Sequence, residues 1–139
     1  MFSIKQAQQQ CLRSAVASTS GGHTIARAEM EDVAFTKLAD LSSPILAQHC
    51  AMGKTIPKAK FEFMRADGSG KPIKYSEMDL TNVLIGAMHP SIEVGGFLTE
   101  QVTLKFSKVT WTYTQQMTGG GAGGSTVGGW DLAANKAAA

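Results

Sequence analysis

The sequence lacks the features that define several large protein classes. No stretch approaches the roughly 18 consecutive apolar residues that cross a bilayer as a helix, so we expect no membrane partner. The N-terminal residues MFSIKQAQQQ have no apolar centre like that of a secretory signal peptide. Only two cysteines, Cys11 and Cys50, are present. They are too few and too far apart for a disulfide scaffold, so we expect free thiols in a reducing compartment.

An excess of charge of one sign is also missing. Charged residues make up 17% of the chain and the formal net charge is +2. This balance disfavours a disordered charged tail and a whole-domain nucleic-acid binder. Hydrophobic residues, at 43%, are sufficient for a core, and 139 residues fit one compact domain. The sequence therefore predicts a single domain over residues 1–139.

Catalytic and metal-binding patterns are absent from the sequence as well. The three histidines, His23, His49 and His89, show no compact ligand spacing with the cysteines. We therefore expect no metal, no cofactor and no catalytic residue. An enzyme that uses Cys50 with His49 or His89 is an alternative without local sequence support. The run GGGAGGSTVGG lacks the Lys-Ser/Thr pair of a phosphate-binding loop.

Alternating apolar and polar residues predict half-buried β-strands over residues 29–40, 55–66, 71–88 and 98–116, with weaker strand character over 4–16. The apolar residues change sides twice along these segments. Ile73 and Tyr75 share one side and Met78, Leu80 and Leu84 the other, so a bulge or a bend is expected between these two groups. A second bulge or a corner is expected near Ser107-Lys108. The apolar face of these strands supplies the expected core residues, which are Phe35, Phe61, Phe63, Leu104 and Phe106.

One helix is predicted in DLSSPILAQHCAMG, with Ser43 as its cap, Pro44 at its first position and Gly53 as its stop. Its apolar stripe would comprise Ile45, Leu46, His49, Cys50 and Met52.

Turn-forming residues separate the predicted strands. Asp67-Gly68-Ser69-Gly70 is typical of a hairpin turn, and residues 89–96 are predicted to form a loop. Seven of the fifteen glycines lie in residues 119–129, so the glycine excess is local. Residues 117–129 are therefore predicted to be a Gly-rich loop that ends in a docked Trp130.

A basic run leaves one functional alternative open. It consists of Lys54, Lys58, Lys60, Arg65, Lys71 and Lys74, interrupted by Glu62 and Asp67. With nearby aromatic residues it could bind single-stranded nucleic acid as a monomeric β-barrel module. However, Phe61 and Phe63 alternate with the lysines and should face away from them. The pattern therefore favours an apolar core face and a solvated outer face.

Several stretches, in order, resemble the Hcp family of bacterial type VI secretion tube proteins. They are FTKLADLSSPILAQHCAMGKTIPKAKFEFMRADGSG, KYSEMDLTNVLIGAM, LTEQVTLKFSKVTWTYTQQ and GGWDL, and they cover roughly residues 21–132. The resemblance implies a mainly β fold: a two-sheet β-barrel of antiparallel strands with one α-helix on its side. The family's opening strand is expected to be missing here, which makes residues 1–20 a divergent or truncated N-terminal segment.

The same resemblance implies a function without catalysis. Family members assemble with themselves into hexameric rings, and the rings stack into a tube inside a contractile sheath. The tube carries a spike protein at its tip, and its lumen chaperones small effector proteins. The expected location is the bacterial cytoplasm before firing, followed by secretion without a cleaved signal peptide. Gly21-Gly22 would lie in the loop that reaches the neighbouring ring.

Overall fold

The computed structural model describes residues 4–12, 15–17, 23–25 and 27–138. That part of the chain is mainly β with one helix, as predicted. The elements in chain order are β1 Ile4–Gln8, β2 Cys11–Leu12, β3 Ala15–Ala17, β4 His23–Ile25, β5 Glu29–Met30, β6 Val33–Leu38, α1 Ser43–Met52, β7 Thr55–Ala66, β8 Pro72–Ser91, β9 Thr99–Lys105, β10 Lys108–Gln116, β11 Ala122–Asp131 and β12 Lys136–Ala137.

The chain divides into two compact units. The first unit comprises Met1–Thr55 and Leu84–Lys105. Its strands are antiparallel: β1 pairs with β6, β6 with β9, and β9 with the second half of β8. Two short ribbons, β2 with β5 and β3 with β4, complete the described strands of this unit.

The second unit comprises Ile56–Val83 and Phe106–Ala139. Here β7 pairs with β8, and β10 lies between the first half of β8 and β11. The predicted turn between β7 and β8 is present, because the Asp67 amide donates to the Lys71 carbonyl at 2.8 Å. Gly70 has a φ of 84°, which glycine adopts without a steric cost.

A break in the strand lies close to the predicted corner, and the register of β8 with β9 shifts between Ile85 and Ala87, beyond the predicted bulge. The strand signal over residues 98–116 is interrupted at Phe106-Ser107, between β9 and β10, close to the predicted corner. In β8 the change of sides occurs at Asn82, which has a φ of 52°. Leu80, before Asn82, and Val83, after it, are both buried although they are three positions apart, so the buried side of the strand changes between them. From Ser76 to Thr81 the register with β10 is unbroken, so the predicted bulge does not lie in that stretch. The side predicted for Leu84 was wrong, because Val83 and Ile85 are buried and Leu84 is only half-buried.

The helix forms where it was predicted, but its cap and its apolar stripe differ. Ser42 occupies the N-cap position, not Ser43, and Gly53 ends the helix in the left-handed conformation with a φ of 61°. No residue of α1 is buried. Ile45 and Met52 each expose more than half of their surface. The stripe therefore does not pack fully within its own unit.

Two predicted loops contain strand. Residues 89–91 continue β8, because they pair with Gln101, Glu100 and Thr99 of β9. In the Gly-rich segment only residues 117–121 form a turn, and β11 begins at Ala122. Pairing with the regular strand β10 compensates for the low strand propensity of glycine, and Trp111 lies opposite Gly128 in the register.

Of the five predicted core residues, three are buried, namely Phe35, Phe61 and Leu104. Phe63 and Phe106 are half-buried. The apolar core of the first unit consists of Val33, Phe35, Ile85, Val102 and Leu104, and that of the second unit of Phe61, Met78, Leu80, Val83 and Val109. The docked side chain predicted for Trp130 is half-buried, opposite Val109 in the register.

Candidate assembly surfaces

An exposed apolar turn connects β8 to β9 in the first unit. Residues 92–98 contain Val94, which is fully exposed, and Phe97, which is 82% exposed. Ile92 and Leu98 are also exposed. The turn is ordered by a hydrogen bond from the Gly96 amide to the Glu93 carbonyl at 2.8 Å. Apolar side chains held in this way in water are typical of a surface that another protein covers.

The segment after β6 lies beside this apolar turn. The Ala39 amide donates to the Leu98 carbonyl at 3.0 Å. Leu41, which follows, is 96% exposed, and Leu38 is 41% exposed. The hydrogen bond therefore brings two exposed apolar stretches together at one edge of the first unit.

A buried ion pair holds the two strands behind this edge. Lys37 on β6 is 0% exposed and lies opposite Glu100 on β9, which is 4% exposed. The Lys37 Nζ is 3.0 Å from Glu100 Oε2 and 3.1 Å from Asp40 Oδ1. It also donates to the Leu38 carbonyl at 2.9 Å. Buried charges require such partners, because removing them from water is costly.

The first residue of the helix joins this ion pair. The Ser43 hydroxyl donates to Glu100 Oε2 at 2.8 Å and accepts hydrogen bonds from the Asp40 amide and Lys37 Nζ. Ser43 therefore ties α1 to β9 instead of capping the helix. The hydroxyl of Ser42 donates to Asp40 Oδ1, and this bond, followed by that from Lys37, lowers the pKa of Asp40 from 3.8 to about 2.

Two lysines of the predicted basic run, Lys60 and Lys74, are paired with carboxylates in the second unit. Lys60 Nζ lies 3.0 Å from Glu77 and 3.6 Å from Asp79, and Lys74 contacts both Glu62 and Glu77. Hydrogen bonds from Lys74 and then Lys60 lower the pKa of Glu77 from 4.5 to about 2. Phosphates would have to displace these carboxylates. The geometry therefore favours the solvated outer face over the single-stranded nucleic-acid alternative.

The same two lysines show raised pKa values, because each donates a hydrogen bond to Glu77. Burial raises the pKa of Asp79, which also lies beside Glu77. Both lysines thus stay cationic at neutral pH, and the cluster holds β7 to β8 by alternating charges.

A strand edge of the second unit is open. Among the described residues, β12 pairs only with Trp130 and Asp131 of β11, so the edge of β11 over residues 122–128 has no strand beside it. Trp111 and Tyr113 on the adjoining β10 are 37% and 52% exposed. An open edge next to exposed aromatic side chains is available for pairing with another chain.

The other candidate residues do not form a common site in the described part of the chain. His49 and Cys50 are neighbours on α1 and half-buried, His89 is exposed on β8, and Cys11 is exposed. Within the same residues no group of three metal-ligating side chains occurs. Nor does the helix have the length and apolar character needed to cross a membrane. Gly21-Gly22 lies outside the described residues.

The fold and these surfaces define a mainly β protein with an exposed apolar turn and an open strand edge among its described residues. The sequence profile described as "Type VI secretion system effector, Hcp" matches residues 2–113. The chain belongs to this Hcp family of type VI secretion proteins. It is 34% identical over 115 residues to protein hcp1 of Pseudomonas aeruginosa, covering 78% of this chain and 68% of that protein.

Solved structures agree with the family assignment. The solved structure of a type six secretion system protein superposes with a TM-score of 0.88 at 24% identity, covering 97% of this chain and 85% of the other. Hcp1 from Salmonella typhimurium gives a TM-score of 0.77 at 24% identity, covering 99% and 84%. These likenesses show that the chain has the Hcp fold. The family match also takes in β1, which pairs with β6; the absence of the family's opening strand stays a prediction.

Proposed function

We propose that this chain is a structural subunit of the type VI secretion inner tube. Its copies form hexameric rings that stack into the ejected tube, without catalysis by the chain itself. Membership of a structural, secreted protein family supports this role. The observation that carries the proposal is the exposed apolar turn at residues 92–98, whose Phe97 is 82% exposed on the isolated chain.

Burial of this turn against another copy would give a driving force for assembly. A fully buried apolar side chain of the size of Phe97 contributes about 1.5–3 kcal/mol relative to an exposed one. Six equivalent contacts in a closed ring would each gain this free energy, since cyclic symmetry repeats the same contact. The open edge of β11 offers a second surface of the same kind.

The remaining partners follow from the same proposal. A tube inside a contractile sheath contacts the sheath on its outer wall, the spike protein at its tip and small effector proteins in its lumen. The chain would reside in the bacterial cytoplasm before firing and be secreted without a cleaved signal peptide. Family membership supports these partners and this route.

Native mass spectrometry of the purified chain with and without Phe97→Ser tests the assembly surface. We expect rings of six protomers for the parent chain and a shift toward smaller species for Phe97→Ser. Met52→Ser, which removes another apolar side chain that is 56% exposed, is the matched control and should leave the rings intact. Equal ring populations in the parent chain and Phe97→Ser would contradict the proposal that the apolar turn forms the contact between protomers.

A further inference from the structure

A polar groove in the second unit has no role in the proposed assembly. It lies between the β7–β8 turn and the β10–β11 turn, and its volume is about 730 Å³. Arg65 and Asp67–Ser69 line one side, and residues 116–120 line the other. The lining is rich in hydroxyl, amide and glycine backbone groups, which are suited to hydrogen bonding with a polar ligand.

Arg65 is the cation of this groove, and it differs from the neighbouring lysines. Lys60 and Lys74 each contact two carboxylates. Within the part of the chain that the structure describes, Arg65 forms no ion pair with a carboxylate, and its buried Nε has no hydrogen-bond partner. A buried N–H group on a permanently charged side chain is costly when it has no hydrogen-bond acceptor. We therefore expect a bound ligand to supply an acceptor for the Arg65 Nε–H group.

Asp67 does not supply that acceptor, although it lines the same groove. Its Oδ1 atom accepts hydrogen bonds from the Ser69 amide and hydroxyl, each at 2.8 Å, and from the Lys71 amide at 2.7 Å. These bonds lower the pKa of Asp67, the Ser69 hydroxyl contributing most. The Asp67 carboxylate therefore stabilises the β7–β8 turn, of which it is itself a part.

An aromatic pair holds the guanidinium in place. The Arg65 Cζ atom lies 5.0 Å from the centre of the Tyr75 ring, a cation–π distance. Tyr75 in turn packs edge-on against Tyr113, with ring centres 6.4 Å apart. A guanidinium held by stacking keeps its planar fork of donors available for an oxyanion, which accepts two parallel hydrogen bonds.

We propose that this groove binds an oxyanion, a carboxylate or a phosphate group, through Arg65. The fork of Arg65 supplies the charge, and the hydroxyls of Ser69 and Thr118 together with the turn backbone surround the ligand. This site is independent of the apolar turn in the first unit. Failure of ring assembly would therefore leave the binding proposal untouched, and the reverse is also true.

Titration of the full-length, 15N-labelled chain with inorganic phosphate or acetate tests the proposal, with chloride at equal ionic strength as the reference. The readouts are the Arg65 Nε–H signal and the Ser69 and Gly119 amide signals. We expect saturable shifts with a millimolar midpoint, and the anion that saturates, whether phosphate, acetate or both, identifies the oxyanion class. Linear shifts equal to those in chloride would contradict the site.

Two variants separate the bidentate contact from general charge. Arg65→Lys keeps the positive charge but loses the fork, so we expect its apparent affinity to fall by about tenfold or more. Lys58→Gln removes a charge from the same strand at an exposed position away from the groove, and should bind within about twofold of the parent chain. Equal affinity of Arg65→Lys and the parent would overturn the proposal. If Arg65→Lys does not fold, the titration of the parent chain tests the site, because a saturable shift of the Arg65 Nε–H signal is expected only if the anion binds there.

Discussion

Removal of Lys37 tests the physical account of the first unit most sharply. In Lys37→Met the side chain keeps much of its apolar length but loses its charge. Glu100, which is 4% exposed, then retains the Ser43 hydroxyl at 2.8 Å but loses its cation. Leaving one partner of a buried ion pair uncompensated costs about 3–5 kcal/mol. We expect this loss in the free energy of unfolding.

The double variant Lys37→Met/Glu100→Leu distinguishes a charge effect from a packing effect. With both charges gone, neither strand keeps an uncompensated buried charge, and such replacements are often neutral or stabilising. We expect the double variant to regain most of the loss, to within about 1–2 kcal/mol of the parent chain. That recovery would appear as a coupling free energy between the two positions.

Urea denaturation measures the free energy of unfolding of Lys37→Met, of Glu100→Leu and of the double variant. The protomer concentration must be the same in each experiment, since assembly adds to the apparent stability. A loss below about 1 kcal/mol for Lys37→Met would contradict the buried-pair reasoning. So would a double variant whose loss equals the sum of the two single losses, because the two positions would then act independently.

Two further perturbations have defined outcomes. A Cβ atom at Gly129 would clash with the Ala138 carbonyl oxygen, whereas a Cβ atom at Gly128 would meet no described heavy atom within 4 Å. Gly129→Ala should therefore cost about 1–3 kcal/mol and speed hydrogen exchange at Ala138, while Gly128→Ala changes stability by less than about 1 kcal/mol; equal effects would refute the clash. Because folding lowers the pKa values of Asp40 and Glu77 to about 2, the stability that they contribute is complete above about pH 4.5 and is lost toward pH 2. Thermal melts should show a shallower acid loss for Glu77→Gln, and an unchanged slope would contradict the lowered pKa.

The sequence carried a signal for the buried ion pair that simple hydrophobic patterning overlooks. Lys37 shares the alternation of Val33 and Phe35, and Glu100 shares that of Val102 and Leu104. Alternation alone therefore places both charges on buried faces. Their opposite signs become meaningful only when β6 and β9 are known to pair, and that pairing joins residues more than 60 positions apart.

Two other structural features, strand β11 and the N-terminus of α1, depend on residues that are distant in sequence and that local patterns do not specify. The glycines of β11 have a low intrinsic strand propensity, and it is the pairing with β10 that makes them a strand. Ser43 satisfies the local rule for a helix cap, yet its hydroxyl donates a hydrogen bond to Glu100, which lies on a strand distant in sequence. By contrast, the Asp67–Gly70 turn and the stop at Gly53 were predictable because their causes lie within a few residues.

The assembly surface was less predictable than the strands. Family resemblance predicted rings, but no local pattern distinguished the apolar turn at residues 92–98 from an ordinary loop. Its apolar side chains become informative only when the structure shows that they are exposed.

Sedimentation velocity of the purified chain over a range of concentrations tests the central claim, that this Hcp-family chain is a self-assembling tube subunit. The proposal predicts a species with about six times the 14.7 kDa mass of one chain, populated increasingly as concentration rises. Higher oligomers should appear as rings stack. A single monomeric boundary at the highest concentration would contradict the claim.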